Sequence, residues 1–156
     1  LMLRYMNFVF LVGVFLTAAP LTSNAEELQV YKSPTCGCCV KWISHMEEFG
    51  FTTQTHHPGD LDGLKKELGV TSQSASCHTA VSEQGYVFEG HVPAKYVQQF
   101  LDNPAENAIG LAVLAMPLGS PGMEMGDRFQ PYKVFQLNKD GSLQVYASVE
   151  QQADQY

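Results

Sequence analysis

The chain has no cluster of basic residues, no internal repeat and no low-complexity tract. Its 156 residues carry 9 Lys and Arg against 16 Asp and Glu, a formal net charge of −7. A surface of that sign repels nucleic acid, and no Lys/Arg stripe offsets it. It attracts cations only weakly and without selectivity. The apolar run Phe8-Val-Phe-Leu-Val-Gly-Val-Phe-Leu16 is too short to span a bilayer comfortably. Cysteine is scarce, with four in all, and a small exported protein built on cross-links would have more and would spread them out.

That short apolar run is better read as part of a targeting segment over residues 1–25. Arg4 supplies the positive start, and Ser23-Asn-Ala25 places small residues where a signal peptidase needs them, so cleavage is expected after Ala25. The alternative is a retained N-terminal anchor. The residue immediately after the expected cut is Glu26, not cysteine, which argues against a lipid-anchored form. Residues 26–156 would then be a single domain large enough for a real core, with a net charge of −8 once Arg4 is removed. Export means an oxidising space and no membrane span after cleavage. Thiols there tend to pair or to be capped by metal.

The pattern along the mature part alternates strands and helices. Leu28–Lys32 reads as a strand, broken at Pro34. Thr35 can cap a helix from about Cys36 to Phe49, with Cys39, Trp42, Ile43, Met46 and Phe49 as its apolar stripe. Phe51–His56 reads as a second strand, and Leu61, Leu64 and Leu68 line a short helix closed by Gly69. Thr79–Glu83 and Tyr86–Glu89 pair through Gln84-Gly85, and Pro93 opens a third helix. The order β-α-β-α-β-β-α is that of a thioredoxin-like mixed sheet. Residues 103–131, rich in Gly and Pro, read as a long loop, and Val134–Leu137 with Leu143–Tyr146 read as a closing hairpin.

Cys36, Cys38 and Cys39 fall within four positions at the start of the first helix, and Cys77 follows in Ser76-Cys-His-Thr79. Three crowded thiols cannot all be structural staples, which leaves thiol redox chemistry or soft-metal binding. The topology brings Cys36, Cys38, Cys39, Cys77, His78 and His91 to one sheet edge, because the third strand starts, and the fourth ends, where the first helix begins. Cys36 and Cys39 share a helix face and could form a disulfide when metal is absent; Cys38 points about 100° away from Cys39. A helix N-terminus favours thiolate, which serves both chemistries. Met116-Pro-Leu-Gly-Ser-Pro-Gly-Met123-Glu-Met125 adds three thioethers in a loop, soft donors that select Cu(I). A closed four-thiolate zinc site would leave those methionines unexplained. Trp42 and Met46 read as core, His45 as exposed, and His56-His57 as a solvated pair on a turn.

Four stretches together, Pro34-Thr-Cys-Gly-Cys-Cys39, Ser76-Cys-His-Thr-Ala80, Glu89-Gly-His-Val-Pro-Ala94 and Gly110–Val113 with Met116–Glu124, resemble the CopG family of bacterial envelope proteins associated with copper resistance. The likeness covers about residues 28–148, departing at Leu114-Ala115, where family members often have Pro-Gly. It implies a periplasmic, thioredoxin-like protein binding Cu(I), with several ions expected, in sequestration, transfer or copper redox change. The implied ligands are Cys36, Cys38, Cys39 and Cys77, with methionine from the loop as the extra donor, Met123 ranked with Met116 above Met125. The residues themselves leave His78, and more weakly His91, either as a ligand or as a hydrogen-bonding neighbour of one. Copper ions and other envelope copper-handling proteins are the implied partners. The competing reading is a thiol–disulfide oxidoreductase using Cys36 and Cys39. Such enzymes usually carry a cis-proline before the third strand, where this chain has Cys77-His78.

Overall fold

The computed structural model describes residues 25–156; the expected targeting segment lies outside them except for its last residue. The elements in order are β1 (Glu27–Lys32), α1 (Gly37–Glu48), β2 (Thr52–His56), α2 (Leu61–Glu67), β3 (His78–Ser82), β4 (Val87–Glu89), α3 (Ala94–Asp102), β5 (Ala108–Val113), β6 (Tyr132–Asn138), β7 (Leu143–Val149) and a 3₁₀ turn (Gln152–Gln155). Seven strands form one mixed sheet ordered β2-β1-β3-β4-β5-β6-β7. The β-α-β-α-β-β-α order expected from the sequence is present through α3. Among the described residues no helix is long and apolar enough to cross a membrane.

Side-chain alternation assigns the two sheet faces. On β3, Ala80 joins the main core with Trp42 and Met46 of α1 and Tyr96, Val97 and Phe100 of α3. Thr79, one residue earlier, points to the opposite face and meets Lys65 of α2. So α1 and α3 cover one face and α2 the other. β1 runs antiparallel to β3, and β3 antiparallel to β4. The start of β3 and the end of β4 therefore lie beside the C-terminal end of β1, where α1 begins.

Four expectations need correction. The loop expected over 103–131 contains a buried strand, β5, pairing parallel with β4 and antiparallel with β6. Gly110 suggested a loop, but it marks close approach: its φ is +155°, and a Cβ there would collide with the Val87 carbonyl. Thr35 does not cap α1; Cys36 does, its Sγ accepting from Cys39 N–H at 3.3 Å. Phe49 is 42% exposed and leaves the apolar stripe of α1, while His45, expected outside, is buried in its place. His45 is held there because its Nε2 accepts from the Ala94 N–H, capping the first turn of α3 at 3.0 Å.

Candidate metal centre

The first half of the site is local. Pro34 and Thr35 turn the chain out of β1, and α1 starts directly, so Cys36, Cys38 and Cys39 crowd its N-terminus. Cys36 and Cys39 are joined by a disulfide, their Cα atoms 5.4 Å apart. Cys38 is free, with its Sγ 3.5 Å from that of Cys36. Cys39 is buried beneath the other two.

The second half comes from the sheet. Cys77, in the link before β3, is the other free thiol. The sulfurs of Cys36, Cys38, Cys39 and Cys77 all lie within 4.8 Å of one another. Cys77 also forms a second group with His78 and His91, one donor atom from each again within 4.8 Å. Its Sγ is 3.3 Å from His78 Nδ1 and 3.1 Å from His91 Nε2. Cys77 therefore belongs to both groups.

Hydrogen bonding sets the form of the imidazoles. His91 Nδ1 lies 2.8 Å from the Pro121 carbonyl, which can only accept, so Nδ1 carries the proton and Nε2 presents a lone pair to Cys77. His78 packs on Trp42, ring centroids 4.4 Å apart, and its buried Nε2 has no hydrogen-bond partner. Burial lowers the pKa of both rings, and for His78 the neighbouring His91, Lys65 and Lys32 lower it further. Both imidazoles are thus neutral, the form that ligates. Burial and then Cys38 push the Cys77 thiol up to about 11, so ligation there must displace a proton.

The Gly/Pro segment after β5 closes over this edge. Gly122, at φ +90°, lies so close to α1 that a Cβ would sit 2.6 Å from the Cys38 carbonyl and 2.9 Å from Trp42 N. Gln155 anchors the segment from the C-terminus, donating to the Gly119 carbonyl at 2.9 Å and accepting from the Tyr132 hydroxyl. A cavity of about 450 Å³ runs between Cys38 and Lys41 on α1 and Met123, Glu124 and Met125 on the loop. Met123 is half-buried, whereas Met125 is 52% and Met116 50% exposed.

The sheet thus brings together Cys36, Cys38, Cys39, Cys77, His78 and His91, and Met123 and Met125 line a cavity with Cys38. His45 caps α3. His56 ends β2, bonded to Gln29, and His57 bonds the Lys32 carbonyl, so neither joins the site. Sequence reasoning missed Lys65 and Glu89, a buried ion pair at 2.5 Å behind Cys77. The signals were there: Lys65 falls between Leu61 and Leu68 on the apolar face of α2, and Glu89 ends an otherwise apolar strand.

Cysteine sulfurs and neutral imidazoles converging on one edge of a mixed α/β sheet define a clustered Cys/His site of the kind that binds soft metals. Residues 74–123 match a family described as "Protein of unknown function, DUF411". Two solved structures titled "Copper resistance protein copG" superpose on the chain. Form 2 is 39% identical with a TM-score of 0.76, the match covering 81% of this chain and 99% of that one. Form 1 is 40% identical with a TM-score of 0.75, covering 81% and 98%. Comparison with curated protein sequences finds no match. The chain belongs to the DUF411 family and is a homologue of the copper resistance protein CopG.

Proposed function

We propose that this protein is a thioredoxin-like, periplasmic copper-binding protein of copper resistance, exported by a cleaved leader over residues 1–25. The observation that carries the reading is the convergence of four cysteine sulfurs within 4.8 Å, reached from α1 and from the link before β3. The donor set fits the metal. Thiolates and thioethers are soft and suit Cu(I), and thiolate sulfur can bridge, so several ions can share four cysteines. Cys36, Cys38, Cys39 and Cys77 would hold the copper, with His91 Nε2 and His78 Nδ1 as nitrogen donors beside Cys77. Met123, Met116 and Met125 would supply neutral sulfur from the loop. Copper is cargo in sequestration or transfer, and it would be the redox partner if its oxidation state changes. The titles of the relatives, copper resistance proteins, support the same assignment.

The disulfide supports a second reading. Cys36 and Cys39 are paired, and the free Cys38 thiol lies 3.5 Å from Cys36 Sγ, within reach of thiol–disulfide exchange. In the copper reading the same bond is the metal-free oxidised state, and two electrons and two protons restore both thiols. Anaerobic reconstitution of the reduced protein with Cu(I), followed by metal analysis and X-ray absorption, separates the two. Retained copper in a sulfur-dominated shell is expected, with little uptake by the oxidised protein. Failure of the reduced protein to retain Cu(I), together with catalysed dithiol exchange, would favour the oxidoreductase.

A further inference from the structure

The groups that hold Cys77 in place are not the groups that surround it. Glu89, with no exposed surface, reaches both flanks of the Cys77-His78 pair. Its Oε1 accepts from Ser76 N–H at 2.6 Å and from Lys65 Nζ at 2.5 Å. Its Oε2 accepts from the Thr79 hydroxyl at 2.6 Å, while Lys65 also donates to that hydroxyl oxygen at 3.0 Å. Thr79 and Glu89 are direct partners in the β3–β4 register, so the carboxylate stands beside the segment it holds. Gly90, next in the chain, has no room for a Cβ, because Ser76 Oγ would lie 2.7 Å from it. His91 follows immediately. One strand end thus carries a site imidazole and the carboxylate that secures the site thiol opposite it.

Stability alone does not account for this arrangement. Burying an ion pair costs desolvation, and well-packed apolar residues at such positions are often as stabilising or more so. What an apolar pair could not supply is hydrogen bonding at two points bracketing Cys77 and His78. Lys65 balances the carboxylate, so the hold adds no net negative charge beside the thiols. We propose that Glu89, neutralised by Lys65, is a positioning residue for Cys77. It keeps the sulfur against His91 Nε2 and within reach of the α1 cysteines whether or not Cys36 and Cys39 are joined. The relevance to copper rests on the function proposed above; the positioning does not.

The test therefore begins without metal. In the oxidised protein, Cys38 and Cys77 are the free thiols, and iodoacetamide labelling of each is followed by peptide mass spectrometry. Glu89→Gln should raise the labelling rate of Cys77 about tenfold while leaving Cys38 at the parent rate, since a sulfur released toward solvent gains both access and thiolate fraction. The paired variant K65M/E89L removes both charges and keeps apolar bulk. Its thermal midpoint should stay near that of the parent while Cys77 labels as fast as in Glu89→Gln, which separates lost position from lost stability. Thr79→Val, isosteric and leaving the ion pair intact, covers the case in which neither variant folds, and should raise the Cys77 rate by a smaller factor. An unchanged Cys77 rate in the variants that fold, or equal rises at Cys38 and Cys77, overturns the proposal. In Cu(I) competition titrations, the affinity lost in Glu89→Gln should disappear in a Cys77→Ser background; additive losses would contradict action through Cys77. A parent protein that takes up no Cu(I) sinks the copper reading, and the metal-free labelling still decides the role of Glu89.

Discussion

The two halves of the site are built in opposite ways. The α1 half is made within four residues, at a helix start, and contains a bond that redox chemistry can open. The sheet half joins residues 14 positions apart, Cys77 and His91, and is fixed from both faces of the sheet. Trp42 packs on His78 from the α1 side, and Lys65 and Glu89 bind Thr79 from the α2 side. A half made of adjacent residues can change its covalent state within one helix turn. A half assembled from distant strands must be held by buried polar bonds, each costly to break. The difference leaves the α1 half with a bond that can open and the sheet half held in place by buried partners.

The largest expected effect removes the α1 half. Replacing Cys36, Cys38 and Cys39 together by serine should abolish tight Cu(I) binding, because a single thiol with two imidazoles remains. Far-ultraviolet circular dichroism should show the fold retained, and undiminished Cu(I) affinity would show that α1 contributes nothing. The sheet half is broken from behind by Lys65→Ala. Removing one partner of a buried ion pair costs on the order of 3–5 kcal/mol. Chemical denaturation should show that loss, whereas the exposed neighbour Lys66→Ala should move the midpoint little.

The methionines sharpen the comparison, since their loop touches both halves: Gly122 lies on α1, and the Pro121 carbonyl accepts a hydrogen bond from His91 Nδ1–H. Met116→Leu with Met123→Leu keeps apolar bulk and removes sulfur. Cu(I) affinity should fall by less than in any single thiolate variant, and the cluster should oxidise faster in air. Parent-like retention and oxidation would place the loop outside the site. The smallest effect concerns His45, which ties α1 to α3 and touches neither half. Burial lowers its pKa to about 4, so the folded state needs it neutral while the unfolded chain binds a proton below about 6.5. Its contribution is complete above about pH 6.5 and is lost as pH falls toward 4. His45→Gln should flatten the stability-versus-pH curve in that window, and an unchanged slope would mean that the other buried histidines carry it.

Much of this was legible in the chain. The cysteine crowding, the start of α1 and the convergence of Cys77, His78 and His91 followed from spacing and element order, because helix and strand periods constrain which residues meet. The pairing of Cys36 with Cys39 followed from their shared helix face. β5 was missed because Gly and Pro usually mark turns, while Gly110 here serves a strand pressed against β4. His45 was misplaced because helical periodicity ranks polar residues as outward, and only α3 offers the N–H that makes burial favourable. Lys65 and Glu89 were passed over for the same reason: each is a charged residue whose burial is tolerable only if the other is there.

By itself the sequence determined the chemistry available: soft donors, their crowding at one helix start, and the strand and helix order that directs a fourth thiol toward them. The tertiary structure decided which polar residues join that chemistry. It set His91 and His78 at hydrogen-bonding distance from Cys77, buried His45 against α3, fixed which imidazole nitrogen faces Cys77, and laid the methionine segment over α1. These choices depend on partners distant in sequence, on a carbonyl at Pro121, a carboxylate at Glu89 and an N–H at Ala94. A buried polar group is stable only where its hydrogen bonds are satisfied, and the chain's order does not state where that is.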